Sequence, residues 1–212
     1  MVQGNKGRWA VRLARPTLAV ALLAGTSAWG QVVTNPGFET GTLPPWSATY
    51  AGGSSNSSVS ASQGSVTPHS GSYLGWGYDN DGTGRLSQNI STVAGATYSL
   101  SVWVAQSNPN AANAASIRLG AANTPVSCAL GAAGVWTQCT GSFTVAGTSE
   151  RLDLQFATVA GSGAIAFDDV TVTQTAAPAA AVQPVPTLSE WTLLAVAAAA
   201  GGLGMRRLRR RA

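Results

Sequence analysis

Between residues 31 and 175, apolar and polar positions alternate with period two. Tyr98, Leu100, Val102 and Val104 share one side of an extended segment, and Ser99, Ser101 and Trp103 share the other. Residues 151–156 repeat the pattern with Leu152, Leu154 and Phe156, and Ile165 and Phe167 lead through Asp168-Asp169 into Val170 and Val172. The same reading predicts strands over 31–34, 57–61, 72–77, 85–90, 115–119 and 135–145. Breakers stand between them: Pro44-Pro45, Gly52-Gly53, Asn108-Pro109-Asn110 and Gly161-Ser162-Gly163. Apart from the N-terminal stretch, nothing before residue 185 has helical periodicity. Many short strands at regular spacing predict an all-β sandwich.

The two ends of the 212-residue chain follow other patterns. Lys6, Arg8, Arg12 and Arg15 precede an apolar run from Thr17 to Ala24, and small residues follow from Thr26 to Gly30. This order predicts a signal peptide over 1–30, cut by signal peptidase after Ala28 or Gly30. At the other end, an Ala/Pro linker over 176–184 leads to Val185-Pro186-Thr187-Leu188-Ser189-Glu190-Trp191, an apolar run from Thr192 to Met205, and Arg206, Arg207, Arg209, Arg210 and Arg211. As a helix, the apolar run from Trp191 to Met205 spans roughly 22 Å against about 30 Å of hydrocarbon, so it suits a transient anchor with the arginines on the cytoplasmic side. From the physics alone, a plain C-terminal membrane helix and a basic tail for anionic lipid or nucleic acid are equally good readings.

Composition changes meaning once the ends are set aside. The whole chain carries a net charge of +4, but nine of its twelve basic residues lie in the two ends. Residues 31–175 hold Arg85, Arg118 and Arg151 against Glu39, Asp79, Asp81, Glu150, Asp153, Asp168 and Asp169, a net charge near −4. No nucleic-acid partner is expected for that part. Cys128 and Cys139 are the only cysteines; in an exported chain they are expected to form a disulfide, facing each other across neighbouring strands joined by the turn 130–134.

Two resemblances follow from particular motifs. Pro186-Thr187-Leu188-Ser189-Glu190-Trp191, followed by an apolar stretch and a terminal arginine cluster, resembles the IPTL-CTERM sorting signal of Gram-negative bacteria, with Val185 where Ile is usual. The resemblance covers 185–211. It implies processing by an exosortase-like membrane protease and delivery to the cell surface, outer membrane or extracellular matrix. The middle carries Asn35-Pro36-Gly37-Phe38-Glu39 with Trp46, Ser70-Gly71-Ser72-Tyr73, Leu86-Ser87-Gln88-Asn89-Ile90, residues 94–103, and Phe167-Asp168-Asp169-Val170. In that order these motifs look like the jelly-roll carbohydrate-binding modules of the galactose-binding-like class, over nearly all of 31–175. The implied fold is a jelly-roll β-sandwich flanked by the signal peptide and a short C-terminal hydrophobic helix. In similar modules a structural Ca²⁺ ties the opening motif to the last strand, which maps onto Glu39 with Asp168 or Asp169; hard oxygens suit that ion.

Sugar rings stack on exposed aromatics, so Trp76, Tyr78, Trp103 and Tyr50 are candidate platforms, with Gln88, Asn89, Gln106 and Asn108 as polar partners. Core packing is the competing reading for Trp76 and Trp103, and Trp46 and Trp136 are expected to be structural. Asp79-Asn80-Asp81-Gly82-Thr83 opens like a calcium loop, but Ile90 stands where the twelfth-position Glu belongs, so an acidic turn is the expectation. No catalytic residues are expected. The single histidine, His69, lies in a predicted turn, there is no Gly-x-Ser-x-Gly elbow, and no carboxylate pair is placed for hydrolysis. The leading expectation is a surface-sorted, non-catalytic protein whose sandwich binds a polysaccharide or cell-surface glycan. The alternative is a structural surface or biofilm-matrix protein with no specific sugar ligand.

Overall fold

The alternating segments become ten strands in chain order: β1 Ser47–Thr49, β2 Ser55–Ser60, β3 Leu74–Asp79, β4 Gly84–Ser91, β5 Thr97–Gln106, β6 Ala114–Leu119, β7 Val126–Cys128, β8 Thr137–Thr144, β9 Ser149–Ala157 and β10 Ile165–Ala176. The structure is a computed structural model and describes residues 32–179 and 192–198. All pairings within the two sheets are antiparallel. One sheet runs β1-β4-β9-β6-β7 and the other β2-β3-β10-β5-β8, here called sheets A and B. The signal peptide, the motif Pro186–Trp191 and the arginine cluster lie outside the described residues. So does the second half of the apolar tail segment; residues 192–198 of that segment are helical. Among the described residues, no helix is long and apolar enough to cross a membrane.

The core forms between the inner faces of the two sheets. Leu86, Leu154 and Ile117 make one row across sheet A, and Leu100, Val102, Phe167 and Val172 face them from sheet B, all fully buried. Strand β3 contributes glycines to this face. Gly75 and Gly77 point inward, where an added Cβ would overlap the ring of Phe38 or Phe156, and Leu74, Trp76 and Tyr78 therefore point outward. The disulfide joins Cys128 to Cys139 with a Cα–Cα distance of 5.2 Å. The expected pairing of the two cysteines is present, between the consecutive strands β7 and β8. Cys128 lies on an edge strand of sheet A and Cys139 on an edge strand of sheet B, so the bridge staples one sheet to the other.

Three further differences are local. Residues 32–34 do not form a strand, and the Gln88 side chain occupies the backbone groups of Thr34: the Thr34 amide donates to Gln88 Oε1 at 2.8 Å, and Gln88 Nε2 donates to the Thr34 carbonyl at 2.9 Å. β1 and β7 escape the pattern because each has three residues at a sheet edge, too few to show an alternation. Asp79 is buried rather than solvated. Its carboxylate accepts the amides of Ala51 and Gly52, and Asp81 accepts that of Ser54, so this acidic turn holds the loop before β2.

Strands, core and disulfide all lie within 32–176. That segment contains every element a cooperative sandwich needs, and the outer faces of its two sheets are the surfaces on which a ligand can lie.

Candidate functional site

The outer face of sheet B carries the aromatic candidates. Trp76 and Tyr78 on β3 have nearly parallel rings, 8° apart with centroids 6.3 Å apart, and both are half-buried. Beside Tyr78 a cleft of about 240 Å³ is lined by Ser54, Gln63, Asn80, Gly161 and Gly163. Trp103 on β5 lies on the same face, as parity predicts, but is not an open platform: the His69 ring lies on it at 4.0 Å and 17°, and also meets Trp136 edge-on at 5.8 Å. Residues 61–71 bring His69 there by crossing the middle of the face. Val66 of this segment is fully buried against Leu74, Ala105 and Ala166, with Trp76 and Trp136 packed around them. Trp136 is structural as expected, its Nε1 donating to the Thr67 carbonyl at 3.0 Å.

Gln88 does not belong to this site. It lies on β4 in sheet A, is buried, and spends both amide groups on Thr34. In the sequence it stands beside Asn89 in a polar stretch, and only the sheet assignment separates it from the aromatics.

The carboxylates assigned to calcium do meet at one corner. A Cβ added to Gly37 would lie 3.4 Å from Asp168 Oδ1, 3.6 Å from Asp169 Oδ1 and 3.6 Å from Glu39 Cγ. Neighbouring strand residues should point to opposite faces, but Asp169 has φ +48° at a register shift in β10, so both aspartates reach the 69–70 turn. Asp168 Oδ2 accepts the amides of His69 at 2.9 Å and Ser70 at 3.2 Å, while Asp169 takes His69 Nδ1 at 2.7 Å and the Ser70 hydroxyl at 2.6 Å. Glu39 accepts the amides of Ser72 and Tyr73. Every one of these carboxylates thus faces N–H or O–H donors, and among the described residues no group of three or more His, Cys, Asp or Glu is placed to hold a metal ion.

Burial pushes the Asp168 carboxyl up from its ordinary value to about 6, against the lowering effect of its amide donors. The native state then holds a proton that the unfolded chain releases between pH 4 and 6. The resulting stability is fully present below about pH 4 and is lost as pH rises through about 6. Its size is at most about 3 kcal/mol. Urea midpoints are expected to rise from pH 7 to pH 5 more in the native protein than in Asp168→Asn, which has no proton to take up; parallel pH profiles would remove Asp168 as the cause.

Two five-stranded antiparallel sheets packed face to face define a β-sandwich. The chain belongs to the carbohydrate binding domain family, whose pattern matches residues 30–162, and residues 183–210 match the IPTL-CTERM motif. Among solved structures it is similar to TmCBM61 in complex with β-1,4-galactotriose, at 20% identity and TM-score 0.52, over 68% of this chain and 99% of that one. It is similar to the Stig cyclase Fisc from Fischerella sp. TAU, at 17% identity and TM-score 0.56, over 70% and 98%. A tandem CBM22-1-CBM22-2 domain from Paenibacillus barcinonensis Xyn10C shares 16% identity at TM-score 0.51, over 77% and 51%. At these identities the likeness is one of fold. No curated protein matches the chain.

Proposed function

We propose that the sandwich is a non-catalytic module that binds a polysaccharide through Trp76 and Tyr78, on a protein exported by its N-terminal signal and sorted to the cell surface by its tail. The observation that carries the reading is the near-parallel Trp76–Tyr78 pair beside a polar cleft. Apolar C–H faces of sugars lie on such rings, and Ser54, Gln63 and Asn80 offer partners for hydroxyls. Sorting would proceed by signal peptidase cleavage near residue 30, transient anchoring, and removal of residues 185–212 by an exosortase-like protease.

The test is a pull-down of residues 31–179 on a panel of neutral polysaccharides, beside Trp76→Ala/Tyr78→Ala. Retention on one glycan, reduced at least tenfold in the variant, is the expected result. No retention by a domain that melts cooperatively would favour the second reading, a structural surface protein. That reading has its own support in Trp103 capped by His69 and in the small core around Val66 that covers mid-face.

The proposal extends to the Glu39 corner. A Ca²⁺ ion held by Glu39, Asp168 and Asp169 would have to displace the donors that now satisfy them. Millimolar Ca²⁺ raising the melting temperature, with EDTA reversing it, would support a calcium tie; no shift would leave hydrogen bonds as the tie.

A further inference from the structure

The outer face of sheet A has no aromatic side chain and a different chemistry. Arg85, Arg118 and Arg151 are the only Lys or Arg residues between 31 and 175, in a segment whose net charge is near −4. Strand register puts all three on this one face. Arg85 pairs across β4–β9 with Gln155, Asn89 with Arg151, and Asp153 lies between Ser87 and Arg118 in a single row. From strand spacing and rise, the three arginine backbones stand roughly 8 to 14 Å apart.

The three cations are not equally engaged. Asp153, fully buried, accepts Arg118 Nε at 3.1 Å and Nη2 at 2.5 Å, and the Ser87 hydroxyl at 2.8 Å. Arg118 gives its remaining nitrogen to the Ala121 carbonyl. Arg151 touches Asp153 only through Nε, at 2.8 Å and out of line for a hydrogen bond, which leaves both its terminal nitrogens without a protein partner among the described residues. Arg85 has no hydrogen-bond or ion-pair partner among the described residues, and its Nε is buried. The face therefore carries three guanidinium groups and one carboxylate, a net charge of +2, and that carboxylate meets only Arg118 and Arg151. A cleft of about 410 Å³, lined by Ser47, Ser87, Asn89 and Arg151, opens at the Arg151 end.

The Arg85 guanidinium and the terminal nitrogens of Arg151 thus have no hydrogen-bond acceptor among the described residues. Guanidinium forks match carboxylate and sulfate groups. We propose that this face is a second binding surface, for an anionic polysaccharide bearing carboxylate or sulfate groups, with Arg85 and Arg151 as the contacts and the Arg118–Asp153 pair as the support that orients Arg151. The choice of a sugar polymer rests on the family of the domain; the choice of an anionic one rests on the arginines alone.

The experiment uses residues 31–179 at 0.15 M salt, on immobilised polygalacturonate (carboxylate), dextran sulfate (sulfate), neutral dextran and single-stranded DNA. Retention on at least one acidic glycan, tenfold or more above dextran and DNA, is the expected result, and the preferred bead tells which anion is read. Arg85→Gln/Arg151→Gln is expected to lose that retention at least tenfold while Trp76→Ala/Tyr78→Ala keeps it, so failure of the aromatic face and failure of this one are separable. Arg85→Gln alone, which breaks no hydrogen bond or ion pair among the described residues, keeps the test valid if the double variant melts early, and a several-fold loss is expected from it. Undiminished binding by folded arginine variants, equal binding to DNA, or no binding to either acidic glycan would overturn the proposal.

Discussion

Asp153→Ala is expected to lower the unfolding free energy by about 3 kcal/mol, at the low end for breaking a buried ion pair, because both arginine partners can swing toward water. The carboxylate has no exposed surface and collects Arg118, Arg151 and the Ser87 hydroxyl from three adjacent strands. Its removal leaves two guanidinium groups on neighbouring strands with no counter-charge between them. Such a loss lowers the melting temperature of a domain this size by about 10 °C. Adding Arg118→Met is expected to restore part of the loss, since an apolar replacement removes the stranded charge. Thermal melts of the two variants check this; a loss below about 1 kcal/mol for the single variant would show that Asp153 is not the hub of sheet A.

Gly77→Val is expected to cost about 3 kcal/mol, the upper end for overpacking. The Phe156 ring is seated between Gly77 of β3 and Gly84 of β4, and a Cβ added at either glycine would overlap it. Phe156 is fully buried and meets Phe167 at 6.3 Å, so the ring cannot yield without moving the core. At Gly53 an added Cβ would meet nothing within 4 Å, and Gly53→Ala is expected to stay within about 0.5 kcal/mol. Urea midpoints compare the two. A Gly77→Val protein as stable as the parent would mean that Phe156 packs elsewhere. The effect reaches the aromatic face as well, because small inward residues on β3 are what allow that strand to lie close to Phe38 and Phe156 while Trp76 and Tyr78 stand outward.

Much of the fold was readable from local order. The alternation at 98–104, 151–156 and 165–172 was strong enough to place β5, β9 and β10, because a half-buried strand must show period two. The tail motif and the two cysteines were equally plain. The aromatic candidates were readable only in part. Trp76 and Tyr78 share a face as their spacing requires, but nothing near Trp103 in the chain announces that His69, distant in sequence, will lie on its ring. Gln88 looked like a ligand partner because neighbours in sequence cannot reveal that its strand belongs to the other sheet. Asp168 and Asp169 were expected on opposite faces, and a left-handed residue at a bulge turned both toward one turn.

By itself, then, the sequence determined most of the longer strands, the class of domain and the sorting signal, because each is written in short-range periodicity or in a contiguous motif. Only the tertiary structure decided which strands share a sheet, that the disulfide joins the two sheets, that residues 61–71 cover the middle of the aromatic face, and that three arginines from strands far apart in the chain share one surface. Those outcomes depend on register and packing between segments distant in sequence, and no local pattern carries that information.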